Sequence, residues 1–338
     1  MHIDKLSNTG AFVVIDLDDA PTSVGIVRVA PKVLQGSATA LARTTTYTFA
    51  ARELKIGGAS AGISADPERR DDAIGVFVAE LAPRVESGAL VLDPGPGVAD
   101  EGLMTLSNDA TRNAVRHETV ESDRTLEAHL AGLGPVVAAE AALGSLDGRT
   151  AAVELGPNAA ALVEALAARG ARVVAVGGPN GSVQITEGLA PDALGETLDL
   201  AALGEVRPAD ALLTTQATVL FCGSRQGMID GAAAETLGAQ VLVPTGCQPL
   251  SAKGLAVLRR RDVVALADFV STAGPSFAWW PAGEASVAAV LADATTGIAE
   301  LVTSTISHDE GPLLGACYRA EAFLRTWQAA LPFGRPLA

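Results

Sequence analysis

One segment of the sequence, residues 150–181, constrains the fold more than any other because it alternates strand, helix and strand. Residues 150–155 form a short apolar run, and residues 158–169 are rich in Ala and Leu and end at Gly170. A second apolar run follows at 171–176. A strand, a helix and a strand within about 30 residues form the βαβ unit of a parallel sheet. The segment therefore predicts an α/β protein with a parallel, doubly wound sheet.

The same alternation extends through the rest of the sequence. C-terminal to the βαβ unit it predicts strands at 209–214, 240–243 and 263–267 and helices at 228–237 and 251–260. In the first third it predicts strands at 11–16, 23–29 and 89–93 and helices at 38–54 and 72–86. Further helices are predicted at 132–143, 285–292, 297–303 and 313–331. The glycine-rich stretch 54–63 is predicted to form a turn followed by the start of a helix.

Length, charge and cysteine content restrict the class of protein. The chain has 338 residues, enough for two domains, and a formal net charge of -15. That charge argues against nucleic acid or an anionic membrane as a partner, because both require Lys and Arg patches. The three cysteines and four histidines lack disulfide or metal-site spacing, which favours a reducing cytoplasm and no metal site. We predict no signal peptide and no membrane-spanning segment.

Short motifs spread over residues 10–280 occur in the order and spacing of one enzyme family. They are Gly25-x-x-Arg28-x-x-Pro31, Thr46-Tyr47, Gly57-Gly58, Ile63, Asp66-Pro67, Asp93-x-Gly95, the βαβ unit from Leu146 to Gly181, and Asp268-Phe269-x-x-x-Ala273-Gly274. Together they make the chain resemble the glutamate/leucine/phenylalanine/valine dehydrogenase superfamily, as a degenerate member.

The resemblance implies an architecture of three parts. An N-terminal α/β substrate-binding and oligomerisation domain would span residues 1–131. A Rossmann-like doubly wound domain of the dinucleotide-binding type would span 132–280, and C-terminal helices over 281–338 would return to the first domain. Members of the family convert an L-amino acid, water and NAD(P)+ reversibly into a 2-oxo acid, ammonium and NAD(P)H in a cleft between the domains.

The resemblance also implies which residues occupy the substrate site. The family's carboxylate-anchoring lysine falls on Thr48, and its catalytic lysine falls on Ser60. The proton-shuttling aspartate falls on Asp93, which is either a residual catalytic acid or a turn-forming residue before Pro94. A hydroxyl supplies no positive charge, so both replacements remove groups that the chemistry requires. The remaining substrate-side positions that the resemblance assigns are Gly25, Gly58 and Thr272.

The implied cofactor site is altered in parallel. NAD or NADP would lie on the fingerprint 154–159, where the first glycine of the family is Glu154, whose carboxylate would repel the pyrophosphate. The acid expected at the end of the second strand is also absent, because Val176 leads into Gly177. The cofactor-binding positions that the resemblance assigns are Gly156, Asn158, Ala159, Gly177 and Cys247.

Three functions follow from this pattern. In the first, the protein keeps the scaffold but is catalytically silent or regulatory, in a homo- or hetero-oligomer with an active dehydrogenase paralogue. In the second, it is an NAD(P)-dependent oxidoreductase that uses Asp93 on an altered substrate, such as an amine, a ketone or an unusual amino acid. In the third, a neighbouring cation such as Lys55, Arg52 or Arg43 replaces the lost lysines. Cys222 and Cys247 are either nucleophiles or inert buried thiols.

Overall fold

A computed structural model describes residues 1–6, 10–95, 101–107, 111–120, 123–190, 193–194 and 199–338. The strands are β1 His2–Lys5, β2 Ala11–Ile15, β3 Ser23–Ala30, β4 Gly57–Ser64, β5 Leu90–Pro94, β6 Thr150–Glu154, β7 Arg172–Gly178, β8 Gly181–Gln184, β9 Ala217–Cys222, β10 Ala239–Pro244 and β11 Val264–Ala265. The helices are α1 Gln35–Ala51, α2 Arg70–Glu86, α3 Glu101–Met104, α4 Leu126–Leu143, α5 Ala159–Ala167, α6 Leu200–Leu203, α7 Gly231–Thr236, α8 Ala252–Arg260, α9 Asp268–Ser271, α10 Gly274–Trp279, α11 Val287–Thr303 and α12 Pro312–Leu324. Short 3-10 helices include Pro67–Arg69, Thr105–Ser107, Ala114–His117 and Ala209–Leu212.

The chain divides into two compact units. The first contains residues 1–114 and 319–336, and the second contains 115–318 and 337–338. The C-terminal chain therefore returns to the first unit, as the resemblance predicted, although α11 belongs to the second unit. The contacts divide the chain after residue 114, whereas the expected division after residue 131 falls inside α4. The functional assignment of the domains stays a prediction.

The first unit is built on a five-stranded sheet in the order β1-β2-β4-β3-β5. β3 runs parallel to β4 and β5, whereas β2 is antiparallel to both β1 and β4. One face packs its apolar side chains against α2, where Ile74, Phe77 and Leu81 are buried. On the other face, Phe12 and Val14 pack against the small Ala38 and Ala42 of α1. The sheet thus has a helix on each face and a central strand with no exposed side.

The prediction of a turn and helix start at residues 54–63 is wrong. The segment enters the central strand β4, and every residue of that strand except the last is buried. Gly and Ala have low intrinsic strand preference, so the local sequence gave little indication of a strand. Pairing with β2 and β3 on either side supplies the backbone hydrogen bonds of β4. Gly58 has no side chain, so the backbone of α1 can approach this strand closely.

Helix α1 forms despite its run of β-branched threonines. The hydroxyl of Thr45 donates to the carbonyl of Leu41 at 3.0 Å, and that of Thr48 donates to the carbonyl of Thr44 at 3.1 Å. Such bonds to the preceding turn satisfy a threonine hydroxyl inside a helix. The hydroxyl of Thr46 instead accepts from the backbone N–H of Gly58 at 2.9 Å, which ties the helix to β4.

The second unit is built on a six-stranded sheet in the order β11-β10-β9-β6-β7-β8. All pairs are parallel except β7 with β8, which form an antiparallel hairpin. The predicted βαβ unit is confirmed as β6, α5 and β7. The expected loop after Val176 is different, because Gly177 and Gly178 continue β7 and a two-residue turn leads into β8.

The predicted strand at 209–214 is also wrong. Residues 209–212 form a 3-10 helix, and the strand lies farther along as β9. Pro208 begins the turn, since its ring fixes φ and it has no N–H to donate to a sheet. The buried run from Val219 to Cys222 then fills the place of the central strand.

Two helices of the second unit are longer than predicted. α4 begins at Leu126, where the Thr125 hydroxyl caps the N–H of Ala128, and continues through Pro135. The two helices predicted at 285–292 and 297–303 are one helix, α11. By length and composition alone, α4 is the one helix in the described part of the chain that could cross a membrane, but 56% of it is buried. It contacts α5, α10 and α11, which is the environment of a core helix.

Candidate functional site

Ser60, to which the resemblance assigns the position of the catalytic lysine, is enclosed in the first unit. It pairs with Val14 on one side and Ile26 on the other, and its side chain has no solvent exposure. Its hydroxyl oxygen has no hydrogen-bond partner among the described residues. A buried hydroxyl without a partner loses its bonds to water and gains nothing in return. Ser60 is therefore a neutral and internal group in the folded unit.

Asp93 lies on the same face of the sheet as Ser60 but not beside it. Ile26 of β3 pairs with both residues, so the three form one row across the strands. Two strand spacings separate Asp93 from Ser60, which is on the order of 10 Å between their backbones. The sheet brings the two predicted catalytic positions into register, and the side chain of Ile26 stands between them.

The carboxylate of Asp93 forms a bidentate ion pair with Arg112, a residue that the sequence analysis missed. Nη1 of Arg112 lies 2.5 Å from Oδ2 and Nη2 lies 2.6 Å from Oδ1. The Arg112 side chain is fully buried, and Nη2 also donates to the carbonyl of Ser107 at 3.1 Å. Two parallel N–H donors give strong and geometrically fixed pairing with a carboxylate. Both oxygens of Asp93 thus have a geometrically fixed guanidinium partner.

Thr48, to which the resemblance assigns the position of the anchoring lysine, forms its hydrogen bond within its own helix. Its side chain is 8% exposed, and its hydroxyl hydrogen is committed to the carbonyl of Thr44 in the same helix. This bond satisfies the hydroxyl hydrogen within α1, and the substrate-binding role that the resemblance assigns to Thr48 stays a prediction.

The glycines at 25 and 58 are explained by packing within the unit. A Cβ on Gly25 would lie 1.8 Å from the carbonyl oxygen of Ala59 in the adjacent strand. A Cβ on Gly58 would lie 1.8 Å from the carbonyl oxygen of Ala42 in α1. Both distances are far below van der Waals contact, so only glycine allows these backbones to approach. The substrate-binding role that the resemblance assigns to them stays a prediction.

Arg43 has a structural role and is not available to replace a lost lysine. Its Nε and Nη2 donate to the carboxylate of Asp16 at 2.8–3.0 Å, and the Asp16 side chain has no exposure. Its Nη1 donates to the carbonyls of Phe333 and Gly334 in the returning C-terminal segment. Lys55 is exposed in the loop before β4, whereas Ser60 is wholly buried.

Substitution of Ser60 tests whether its buried hydroxyl is unsatisfied in the folded protein. Replacing Ser60 with Ala should raise the free energy of unfolding by about 1 kcal/mol, because the variant removes an unsatisfied buried hydroxyl. Ser64 on the same strand is the matched control, since its hydroxyl oxygen accepts from the N–H of Val33 at 3.1 Å. Ser64→Ala should lower the unfolding free energy by about 1 kcal/mol. Urea denaturation of both variants measures the difference, and a destabilised Ser60→Ala would contradict the assignment.

In the second unit, Glu154, which the resemblance aligns with the first glycine of the dinucleotide fingerprint, forms three hydrogen bonds. Its Oε2 accepts from the backbone N–H groups of Gly223 at 2.8 Å and Ser224 at 2.9 Å. The Ser224 hydroxyl donates to Oε1 at 2.5 Å. The carboxylate thus joins the end of β6 to the loop after β9. A pyrophosphate requires free donors and no nearby anion, so these residues do not fit a dinucleotide phosphate.

The rest of the fingerprint forms the exposed turn that leads into α5. Gly156 and Asn158 are exposed, and the N–H of Ala159 donates to the carbonyl of Gly156 at 3.0 Å. Asn158 precedes the helix but its side chain makes no capping hydrogen bond. A Cβ on Gly156 would meet nothing within 4 Å, so packing inside the unit does not require glycine there. The cofactor-binding role of these three residues stays a prediction.

The other predicted positions of this unit have mainly internal contacts. Gly177 is buried in β7, where a Cβ would lie 2.9 Å from that of Ser182. The Thr272 hydroxyl donates to the carbonyl of Asp268 at 2.7 Å. Cys247 is half-buried in the loop after β10. The substrate and cofactor roles of Thr272, Cys247 and Gly177 stay predictions.

Cys222 is an inert thiol rather than a nucleophile. It is fully buried at the end of β9, and burial, together with the nearby Glu154 carboxylate, raises the pKa of its thiol far above the usual range. The thiolate required for nucleophilic attack is therefore disfavoured. Across the described residues, no group of three or more His, Cys, Asp or Glu side chains could hold a metal ion.

Two buried polar residues after β10, Gln248 and Asp268, contact each other, although the sequence assigned neither of them to the site. Asp268 is 2% exposed, and its Oδ2 accepts from the backbone N–H of Gln248 at 2.7 Å. Gln248 has a φ of 47°, a conformation that non-glycine residues adopt rarely. The carboxylate of Asp268 thus holds the loop after β10 in a strained conformation. The motif Asp268-Phe269 was visible in the sequence, but its role in this loop depends on the fold.

Solved structures of amino-acid dehydrogenases match the chain over most of its length. Hetero-hexameric glutamate dehydrogenase from Thermus thermophilus, in a leucine-bound form, aligns with a TM-score of 0.73 and 23% identity, covering 95% of this chain and 86% of its own. Plasmodium falciparum glutamate dehydrogenase aligns with a TM-score of 0.75 and 15% identity, covering 95% and 80%. L-tryptophan dehydrogenase from Nostoc punctiforme aligns with a TM-score of 0.65 and 16% identity, covering 96% and 95%.

Comparison by sequence gives no corresponding match. No model of a protein family matches the chain, and no curated protein matches it. At identities below one quarter, structural likeness establishes architecture and leaves activity to be tested. The chain therefore has the fold of the amino-acid dehydrogenase superfamily that its motifs predicted.

Proposed function

We propose that the protein is a catalytically silent member of the amino-acid dehydrogenase superfamily that acts as a regulatory subunit of an oligomer with an active paralogue. The observation that supports this most directly is Ser60, a neutral and fully buried residue at the position of the catalytic lysine. Loss of a positioned acid-base group lowers the rate by on the order of 10²–10⁴. A hydroxyl with no exposure also cannot reach a substrate without a change in the fold around it.

Three further observations support a loss of the ancestral reaction. Arg112 engages both carboxylate oxygens of Asp93, and the hydroxyl of Thr48 is bonded within its own helix. Glu154, at the end of β6, accepts from the two backbone N–H groups that follow β9. The contacts at these four positions therefore support a protein that keeps the dehydrogenase fold but has lost the dehydrogenase reaction.

A regulatory role is supported by the kind of assembly that this fold can form. The glutamate dehydrogenase of Thermus thermophilus is hetero-hexameric, and its structure was determined in a leucine-bound form. A scaffold that assembles from unlike chains allows one chain to lose catalysis and keep a structural or regulatory role. We propose that this chain likewise assembles with an unlike, active chain and regulates it.

The alternative function is an NAD(P)-dependent oxidoreductase with an altered substrate. The Asp93 side chain remains 22% exposed at the end of β5, so it retains some access to solvent. In this alternative, Asp93 acts as the general acid or base on an amine, a ketone or an unusual amino acid.

The decisive experiment measures turnover and cofactor binding of the purified full chain. L-amino acids with NAD+ or NADP+, and 2-oxo acids with ammonium and NADH or NADPH, should give no reaction above the protein-free blank. Titration with NADH and NADPH, followed by nicotinamide fluorescence, should give no saturable binding. Turnover with tight cofactor binding would contradict the proposal, and its loss in Asp93→Asn would favour the alternative.

The regulatory part requires a second measurement. The chain should be mixed or co-expressed with an active amino-acid dehydrogenase of the same organism, and the complex isolated by size-exclusion chromatography. We expect a stable hetero-oligomer whose kcat, KM or response to an L-amino acid differs from that of the active enzyme alone. Separate elution with unchanged kinetics would count against the regulatory role.

A further inference from the structure

We propose that Glu154 is an intramolecular anion that occupies the phosphate-binding crevice of the second unit and thereby excludes a dinucleotide. The inference rests on the proposed function and identifies one residue that causes the loss of cofactor binding. It depends on the strand order, the three hydrogen bonds of Glu154 and the packing of the loop that supplies them.

The strand order places Glu154 at the point where the sheet changes direction. From β6 the chain continues outward to β7 and β8, whereas β9 returns to the other side of β6 and leads to β10 and β11. β6 and β9 are parallel neighbours, so their carboxyl ends lie at the same edge. In open parallel sheets, ligands bind outside the carboxyl ends of the strands at this reversal. Glu154 ends β6, and Gly223 follows β9.

The donors that Glu154 engages are those that an anionic ligand would use. Two successive backbone N–H groups, of Gly223 and Ser224, converge on Oε2, and the Ser224 hydroxyl donates to Oε1. Consecutive backbone N–H groups and a hydroxyl form a concave site for a phosphate or carboxylate oxygen. The carboxylate of Glu154 satisfies all three from within the chain.

The loop that carries these donors is held by close backbone packing. A Cβ on Gly223 would lie 2.3 Å from the nitrogen of Gly246, and a Cβ on Gly246 would lie 2.2 Å from the oxygen of Gly223. The N–H of Thr245 also donates to the carbonyl of Cys222 at 2.9 Å. The loops after β9 and β10 thus contact each other through glycine, which limits the directions that the Gly223 N–H can take. A phosphate would have to displace Glu154, since the loop has little room to turn its donors elsewhere.

A cation beside this loop is available to an incoming anion. Arg225 is exposed and directly follows Ser224. Removal of Glu154 would free two N–H groups and one hydroxyl, and Arg225 is the next residue of the same loop. Such a set has the chemistry that binds phosphate.

The test compares dinucleotide binding by wild type, Glu154→Gly and Glu154→Gln. Glu154→Gly restores the glycine of the fingerprint, and Glu154→Gln removes the charge but keeps an acceptor for the N–H groups. Glu284→Gly is the matched control, because Glu284 is an exposed glutamate of the same unit. Each protein is titrated with NADH and with ADP-ribose by isothermal calorimetry, after circular dichroism has verified folding.

We expect the Glu154→Gly variant to bind at least about 10-fold more tightly than wild type, the equivalent of 1.4 kcal/mol. Glu154→Gln should show a smaller gain, and Glu284→Gly should behave as wild type. If folded Glu154→Gly and Glu154→Gln both bind as weakly as wild type, the inference is overturned while the silent function stands. If Glu154→Gly does not fold, the folded Glu154→Gln variant provides the test. Dinucleotide binding by Glu154→Gln that is as weak as that of wild type would then be enough to overturn the inference. Tight binding and turnover by wild type would instead remove the proposed function itself.

Discussion

Replacing Arg43 with Ala should lower the free energy of unfolding of the first unit by about 3–5 kcal/mol. The Asp16 carboxylate, which has no exposure, would lose both of its guanidinium donors. Breaking a buried ion pair from one side leaves an uncompensated charge in the interior, which is why the effect is much larger than for surface pairs. Urea denaturation followed by far-ultraviolet circular dichroism measures the loss.

The same variant should loosen the C-terminal segment. Arg43 also donates to the carbonyls of Phe333 and Gly334, while Arg335 pairs with buried Glu321 at 2.6 Å. We therefore expect faster proteolysis after α12 in Arg43→Ala than in wild type. The control is the double variant Asp16→Leu/Arg43→Met, which removes both charges and should recover most of the stability. A loss below about 1 kcal/mol in Arg43→Ala, the range of exposed pairs, would contradict the role assigned to this contact.

Replacing Gly58 with Ala should have the second large effect, a destabilisation of at least about 1–3 kcal/mol. The new Cβ would lie 1.8 Å from the carbonyl oxygen of Ala42 and 2.8 Å from the nitrogen of Thr46. Both are backbone atoms of α1, so no side-chain rotation relieves the clash and the helix must move. That movement also disturbs the bond from the Gly58 N–H to the Thr46 hydroxyl.

Gly75 provides the matched control for this substitution. It is exposed in the middle of α2, and a Cβ there would meet nothing within 4 Å. Gly75→Ala should therefore raise the unfolding free energy by about 0.5–1 kcal/mol, since alanine favours the helix. Thermal and urea unfolding of the two variants should shift in opposite directions. Equal shifts would mean that the close approach of α1 to β4 is not what requires glycine at 58.

The alternation of apolar runs predicted the second sheet correctly where a strand or helix is specified by residues that are adjacent in the sequence. β6, α5 and β7 agree with the predicted βαβ unit because short apolar runs and the Gly170 stop are properties of adjacent residues. The strand predicted at 209–214 failed because Pro208 turns the chain before the sheet is reached. The stretch 54–63 failed because its strand depends on pairing with β2 and β3, and Gly and Ala carry little preference of their own.

For the candidate site, the sequence located positions but not their partners. It identified the serine at 60, the threonine at 48, the aspartate at 93 and the glutamate at 154 as departures from or remnants of the family pattern. Nothing in the sequence indicated that Arg112 would pair with Asp93. Nor did it indicate that Glu154 would bond to Gly223, which lies 69 residues away.

The sequence by itself determined which chemical groups this protein has and which it lacks, together with the α/β alternation that specifies its fold class. Tertiary structure decided what those groups contact: the burial of Ser60 between two neighbouring strands, the pairing of Asp93 with Arg112 and the hydrogen bonds of Glu154. The physical reason is that local propensity depends on neighbouring residues, whereas burial and hydrogen bonding at these positions require segments that only the folded sheets bring together.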